Sequence, residues 1–291
     1  MRIKSFGRQL LASSARRQAR GPRREHSQRT IRIAIIGGCA VVLLVLILLS
    51  MREEPQLMNS AEIATLRQTG IVKIGVRTDV PGMAMDGEGL EIELAKRLCA
   101  RLLPGSDPVY SLKLVPVTSS TVTAKLSDGS IDVAVSMLQK DAQSAQYAYS
   151  TSYYADTCRI VVKKNAVAEV SAGTAIGCIQ NSAGAKLLEA YTLAHADLDL
   201  KVLTYAALPD MLLSLQNGTL EAAVISDLQI NKYQEEYDFN KTAILLGTID
   251  YAIACPVDTG AIVRVADIML KELRESGDLE AMHRIHGLPQ N

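Results

Sequence analysis

Tryptophan is absent from this chain of 291 residues and phenylalanine occurs only twice, so a hydrophobic content of 48% is carried mostly by aliphatic side chains. That content is ample for a core. The five cysteines form no CxxC pair and their spacings fit no zinc pattern. There is no HExxH, no serine nucleophile elbow, no P-loop and no dinucleotide fingerprint, so those sequence routes to hydrolysis, phosphate binding and hydride transfer are missing. His283 and His286 stand three apart on an expected helix, but no third metal ligand accompanies them. They read as a surface pair. No metal and no cofactor is expected.

Charge is missing in two senses. The chain as a whole is neutral, with 31 Lys or Arg against 31 Asp or Glu. Within it, residues 33–49 (IAIIGGCAVVLLVLILL) carry no charge at all. The neutrality hides an asymmetry: residues 1–32 hold ten basic residues and one acid, whereas residues 51–291 hold 21 basic and 30 acidic ones. A run of this length just reaches across a bilayer core as a helix. The excess of positive charge before it places the N-terminus in the cytoplasm and the rest outside. A cleaved signal peptide is the competing reading. Against it, the run is longer than the usual signal core, and Leu48-Leu49-Ser50-Met51 offers no small-x-small cleavage pattern. Lipidation at Cys39 would leave most of the hydrophobic run on the wrong side of the cysteine. The run is therefore expected to be an uncleaved single-pass anchor in the cell membrane. The basic tail in front of it would lie on anionic lipid. No nucleic-acid partner is expected, because no folded basic module accompanies the tail.

Behind the run, the hydrophobic pattern alternates between two periods. Residues 71–76 read as a strand, 89–103 as an amphipathic helix with Leu94, Leu98 and Leu102 at i+4 steps, 111–117 as a strand, 121–126 as a helix, and 131–135 as a buried strand. That order argues for a mostly parallel sheet. The order then recurs. Leu126-Ser-Asp-Gly-Ser-Ile-Asp-Val-Ala-Val and Leu215-Gln-Asn-Gly-Thr-Leu-Glu-Ala-Ala-Val agree in type over ten positions without a gap. Each unit is a helix end, a glycine turn suited to the left-handed C-terminal position, and a buried strand. Strands at 175–180 and 200–204 and helices at 183–194 and 208–215 precede or surround the second copy. Two α/β lobes of like design follow.

Several segments carry a more specific likeness. They are Ile74-Gly75-Val76-Arg77-Thr78-Asp79-Val80-Pro81, Gly89-Leu90-Glu91-Ile92-Glu93-Leu94-Ala95, the two glycine-turn units, Tyr149-Ser150-Thr151-Ser152-Tyr153-Tyr154, and the ending Ser276-Gly277-Asp278-Leu279 with His286-Gly287. In this order, from about residue 71 to 288, they resemble the extracellular solute-binding proteins, family 3, of bacterial ABC importers, the polar amino-acid binders. The resemblance implies an α/β, two-lobed periplasmic-binding-protein type II fold with a hinge of two crossover strands, here preceded by one transmembrane helix. The parts would be a basic tail (1–32), an anchor (33–50), a stalk (51–70), lobe I (71–157), lobe II (158–249) and a return to lobe I (250–291). Crossovers near Cys158 and residues 251–255 would put Cys158 and Cys255 close to the hinge, where a disulfide is conceivable; Cys99 and Cys178 are expected to be isolated buried thiols.

The implied ligand site lies between the lobes, beyond the carboxyl ends of the strands. The resemblance places the family's carboxylate-gripping Arg at Gln143 and its ammonium-gripping Asp at Ser226, with Asp227 one step further. The aromatic after the first strand is replaced around Met83, the next platform falls on Ser119, and the Gly-Thr pair at the lobe II helix start becomes Ser182-Ala183. Arg77, Asp79, Ser136 and Leu138 complete the expected ligand contacts. Losing a paired Arg contact removes about 1.5–3 kcal/mol, unless Arg77 or Lys140 substitutes. Met83, Met85, Met137 and Leu138 would make the cleft softer and more apolar, or else fill the lobe core. Asp227 could equally serve as a helix cap before Leu228.

The expected function is a membrane-anchored receptor that captures a small polar, amino-acid-like solute and passes it to an ABC permease in the same membrane. It is not expected to be an enzyme. The alternatives are a degenerate sensor or scaffold that binds a protein or cell-wall partner, and a dehydratase-like enzyme using Asp227 or Asp79.

Overall fold

A computed structural model describes residues 57–141 and 144–289. The expected tail and span, residues 1–50, lie outside the described residues, as does Gln143. No helix among the described residues is long and apolar enough to cross a membrane.

The first half of the structure alternates as the periodicity predicts. β1 (Val72–Val76), α2 (Leu90–Leu102), β4 (Leu112–Pro116), α4 (Val122–Ser127) and β5 (Val133–Gln139) follow α1 (Ala61–Thr69). The short strands β2 (Asp79–Val80) and β3 (Ala84–Met85) and the single turn α3 (Pro108–Ser111) fill the connections. The second half repeats the scheme with β7 (Ala175–Ile179), α5 (Ala183–Ala194), β8 (Lys201–Tyr205), α6 (Leu208–Asn217), β9 (Ala222–Ser226) and α7 (Asp227–Tyr233). Two long strands, β6 (Tyr147–Lys163) and β10 (Phe239–Pro256), run between the halves, and α8 (Ala261–Glu275) and α9 (Asp278–Ile285) return to the first.

The expected parallel pairing holds within each half, and the sheet as a whole is mixed, with four parallel and three antiparallel pairings. Its order is β4-β1-β5-β10-β6-β9-β7-β8. Two parallel triplets, β4-β1-β5 and β9-β7-β8, flank an antiparallel ribbon of β6 and β10. β10 joins the first triplet through β5, and β6 joins the second through β9. Helical periodicity between strands reads as parallel pairing, and a long uninterrupted strand gives no such cue about which way its neighbour runs.

The internal repeat has a packing basis. Ala134 and Ala223, equivalent in the two ten-residue units, pair with Gly75 and Gly177. A Cβ on Gly75 would lie 2.6 Å from Ile131 Cδ1, and one on Gly177 would lie 2.5 Å from Leu220 Cδ2. Ile131 and Leu220 are again equivalent in the units. In both lobes a bare backbone lets the first aliphatic residue after the glycine turn seat on the central strand.

Each half has its own core. In the first, Leu90, Leu94, Leu98 and Leu102 of α2 meet Ile262, Ala266, Met269 and Leu270 of α8 over β1 and β5. In the second, Met211, Leu212 and Leu215 of α6 pack on one face of the sheet with Val161, Ala223 and Ile225, while Leu188 of α5 packs on the other with Ile160, Ile176 and Val224. Fully burying one such side chain is worth roughly 1.5–3 kcal/mol.

Three expectations change. The C-terminal part of the predicted stalk is helix α1, whose Ile63 and Leu66 enter the first core while Glu62 accepts a hydrogen bond from the Ala261 N–H. A polar exposed face hid its two buried residues. The four described cysteines are free and buried, and no bridge joins the hinge pair. Cys158 stands opposite Gly247 in the ribbon whereas Cys255 stands opposite Ala148, at different points along its length. Nor are the histidines a surface pair: His283 Nε2 lies 3.0 Å from the Tyr153 carbonyl, and His286 Nε2 lies 3.3 Å from Glu93 Oε2. No group of three or more His, Cys, Asp or Glu among the described residues is placed to hold a metal.

Candidate functional site

A cavity of about 560 Å³ opens where the carboxyl ends of the two parallel triplets face each other. The first lobe contributes Arg77, Asp79, Val80, Ser119 and residues 136–139. The second contributes Ile179, Ser182, Ala183, Gly184, Leu208, residues 224–226, Leu228, Gln229, Lys232 and Tyr233. Asp156, Cys158, Ile249 and Tyr251 of the ribbon also line it. Strand ends leave side chains and loop backbone beyond the last ladder bond, which is why such crevices collect ligands in α/β sheets.

Arg77 follows directly on β1. Its Nε and Nη2 donate to Asp79 Oδ1 and Oδ2, both at 2.7 Å, and its Nη1 donates to Ser119 Oγ at 2.9 Å. One edge of the guanidinium is thus filled by the chain's own carboxylate, and one N–H remains on each terminal nitrogen. The hydrogen-bonded guanidinium holds the Asp79 carboxyl below its ordinary range, and Asp79 in turn raises Arg77. Lys232 reaches over from the second lobe, and its Nζ donates to the Asp79 carbonyl at 3.3 Å. That contact spans the cleft.

The floor beside Ser136 rests on a buried acid. Met137 has φ +51°, a left-handed conformation that costs a non-glycine residue of order 1–3 kcal/mol. Its N–H is held by Glu91 Oε1 at 2.6 Å and by Tyr153 Oη at 3.0 Å, and Tyr153 Oη also donates to Glu91 at 2.5 Å. Glu91 is completely buried, and that burial pushes its carboxyl up to about 7. Glu91 and Glu93 both stand in the first turn of α2, but Glu93 is bonded to Arg97 while Glu91 points inward. Ser136 Oγ is also buried, without a hydrogen-bond partner among the described residues.

In the second lobe, two serines hold helix starts. Ser182 Oγ accepts the Ala185 N–H at 3.1 Å at the head of α5. Ser226 caps α7 through a reciprocal box with Gln229.

Of the residues expected to touch a ligand, Arg77, Asp79, Ser119, Ser136, Leu138, Ser182, Ala183 and Ser226 all line the cavity. Met83 does not. It is fully buried in the first core, because the β2–β3 turn folds it under α2, where its carbonyl accepts the Glu91 N–H. Asp227 does not line the cavity either. Its carboxylate faces Arg159 on β6 in a two-pronged pair, both contacts at 2.6 Å, and the cap is Ser226, one residue earlier. Met85 and Lys140 lie outside the lining, whereas Met137 belongs to it.

Sequence reasoning missed Asp156, Lys232 and Tyr251. Asp156 is 0% exposed, and burial pushes its carboxyl up to about 6, against the lowering influence of Ser226, the Leu228 N–H and Tyr251. A signal existed: Asp156 is the one acid in the 17 residues of β6.

The sequence profile of the bacterial extracellular solute-binding proteins, family 3, matches residues 72–287. No curated protein matches the chain in sequence. Among solved structures, the probable amino-acid ABC transporter extracellular-binding protein ytmK from Bacillus subtilis is similar at a TM-score of 0.64 with 15% identity, over 73% of this chain and 95% of that one. A mutant of ArgBP from T. maritima is similar at 0.58 with 21% identity, over 76% and 97%. The ancestral amino acid-binding protein AncCDT-1, a precursor of cyclohexadienyl dehydratase, is similar at 0.58 with 16% identity, over 77% and 98%. At such identities these structures speak for the two-lobed α/β fold.

Proposed function

We propose that this chain, which belongs to the bacterial extracellular solute-binding proteins of family 3, captures a small amino-acid-like solute between its lobes and delivers it to an ABC permease. The observation that carries this reading is a cavity of about 560 Å³ walled by both lobes. That is the size of a small-molecule site. Its polar groups include the Arg77–Asp79 pair, Lys232, the four serines at positions 119, 136, 182 and 226, and Asp156. Val80, Leu138, Ile179, Leu208 and Leu228 are among its apolar walls. In this reading residues 33–50 tether the receptor beside its permease, raising the local concentration, and the basic tail before them rests on anionic lipid.

The dehydratase alternative relied on Asp79 or Asp227 as a proton carrier. Both are held by arginines, Asp79 by Arg77 and Asp227 by Arg159. That pairing holds the Asp79 carboxyl below its ordinary range, which makes it a poor acid, and Asp227 lies outside the cavity lining. The scaffold alternative has no need of a cavity shared by both lobes.

A thermal-shift screen of the full chain against amino acids, short peptides, polyamines and sugars tests the proposal. A ligand at a hundred times its Kd stabilises the folded state by about 2.7 kcal/mol, a rise in Tm of roughly 5–11 °C for a domain of this size. No shift with any amino acid would refute it.

A further inference from the structure

Strand β5 is irregular where it reaches the cleft. Leu138 pairs with Ala252 of β10 and Ala134 pairs with Ala254, so residues 135–137 of β5 stand opposite Ile253 alone. A bulge bends its strand and re-aims side chains, and bulges gather beside functional sites. Neighbouring residues of a regular strand face opposite ways. Here Ser136, Met137 and Leu138 are consecutive, yet all three line the cavity.

The bulge turns on Met137, whose φ of +51° is a left-handed conformation that a residue with a Cβ disfavours. Two side chains from other elements take its N–H. They are Glu91 in the first turn of α2, at 2.6 Å, and Tyr153 on β6, at 3.0 Å. Tyr153 Oη donates to the same Glu91 oxygen. The Arg77 N–H and guanidinium, just past β1, also act on Glu91. One buried acid thus ties the ends of β1 and β5 to the ribbon. Neither Glu91 nor Tyr153 lines the cavity, and both are buried. A carboxyl kept wholly out of water is costly to the fold, and it stands beneath the one strained residue of the cleft floor.

We infer that Glu91 and Tyr153 are positioning residues for solute capture: they hold the β5 bulge in the conformation that turns residues 136–138 toward the solute. They act through the backbone of Met137 and touch no part of the solute. The inference rests on the solute-binding reading above and adds to it residues outside the cleft that set its affinity. Without their hold, Met137 relaxes toward ordinary backbone and the binding-competent floor becomes a minor state. Apparent affinity then falls in proportion to the fraction of chains that keep that floor.

The test is calorimetric titration of the full chain with the twenty L-amino acids, repeated on variants with each one that binds. Glu91→Leu keeps the bulk and removes the acceptor, and it should weaken binding roughly tenfold or more. Glu91→Gln, which keeps an oxygen for the Met137 N–H, should recover most of that loss. The deciding arm is Met137→Gly. Glycine adopts a positive φ without steric cost, so in the Met137→Gly background Glu91→Leu should weaken binding by only about threefold or less. A folded Glu91→Leu chain that binds as tightly as wild type overturns the inference and leaves the solute-binding reading standing. So does an equal loss with and without Met137→Gly, because Glu91 would then act other than through the bulge. A wild-type chain that binds no amino acid overturns both. If Glu91→Leu does not fold, Tyr153→Phe replaces it in the same cycle, and the same comparison with and without Met137→Gly decides.

Discussion

Replacing Glu91 with glutamine perturbs the floor of the cleft without changing its shape. Burial raises the Glu91 carboxyl from 4.5 to about 7, so folding favours its protonated form. Below pH 4.5 the group is protonated in both the folded and unfolded states and costs nothing. Between 4.5 and 7 the folded state binds the proton that the unfolded chain has released, so stability falls as pH rises, and above 7 the full loss has been incurred. A difference of about 2.5 units corresponds to roughly 3 kcal/mol at 1.36 kcal/mol per unit. Asp156 contributes a change of the same sign centred lower, near pH 6. Subtracting the Glu91→Gln curve from the wild-type curve isolates Glu91. Glutamine still offers an oxygen to the Met137 N–H and to Tyr153 and does not titrate. Urea unfolding followed by circular dichroism, which needs no tryptophan, should be run at half-unit steps from pH 4.5 to 8.5. The expected outcome is a difference that grows by about 3 kcal/mol in favour of the variant across that range. Parallel curves would refute the argument, because they would mean that Glu91 is ionised throughout in the folded protein.

Two further perturbations probe the scaffold. Gly75→Ala and Gly177→Ala should each destabilise by about 1–3 kcal/mol through overpacking. Ile131→Val, which removes the Cδ1 that lies 2.6 Å from the added Cβ, should restore much of the Gly75→Ala loss in a double-mutant cycle; losses that simply add would show that the contact is not the cause. Asp227→Ala should cost about 1–3 kcal/mol by stranding Arg159, whose side chain keeps some contact with solvent. Chemical denaturation of Asp227→Ala, Arg159→Ala and the double variant would show it, and a coupling near zero would remove the pair from the account of lobe II.

Most of the element order was legible in the sequence because each helix and strand is decided within a dozen residues. The i+4 leucines of α2 and the alternation of β1 declare their own burial. The left-handed glycine after α6 likewise declares a helix end. The ten-residue repeat was legible for the same reason, and the packing of Ile131 and Leu220 against paired glycines gives it a physical cause. The likeness to a solute-binding family was readable from short ordered motifs, and eight of the expected contact residues, four from that likeness and four from their place near strand ends, line the cavity.

The pairing partners were not legible. Asp227 at a helix start has the same local appearance whether it meets a ligand, caps the helix or finds an arginine, and only the register that sets β6 beside β9 brings Arg159 within 2.6 Å. Met83 reads as a cleft residue by its place after β1, but the β2–β3 turn carries it into the core. Asp156 has no local signature of burial, since an acid within a strand is ordinarily solvated; the closing of two lobes around the ribbon removes its water. Sequence by itself determined the elements, the duplicated lobe design and the family, all of which depend on periodicity and short-range turn chemistry. Tertiary structure alone decided which charges are answered and which are left facing the cavity, because desolvation and ion pairing depend on segments that meet only after the chain has folded.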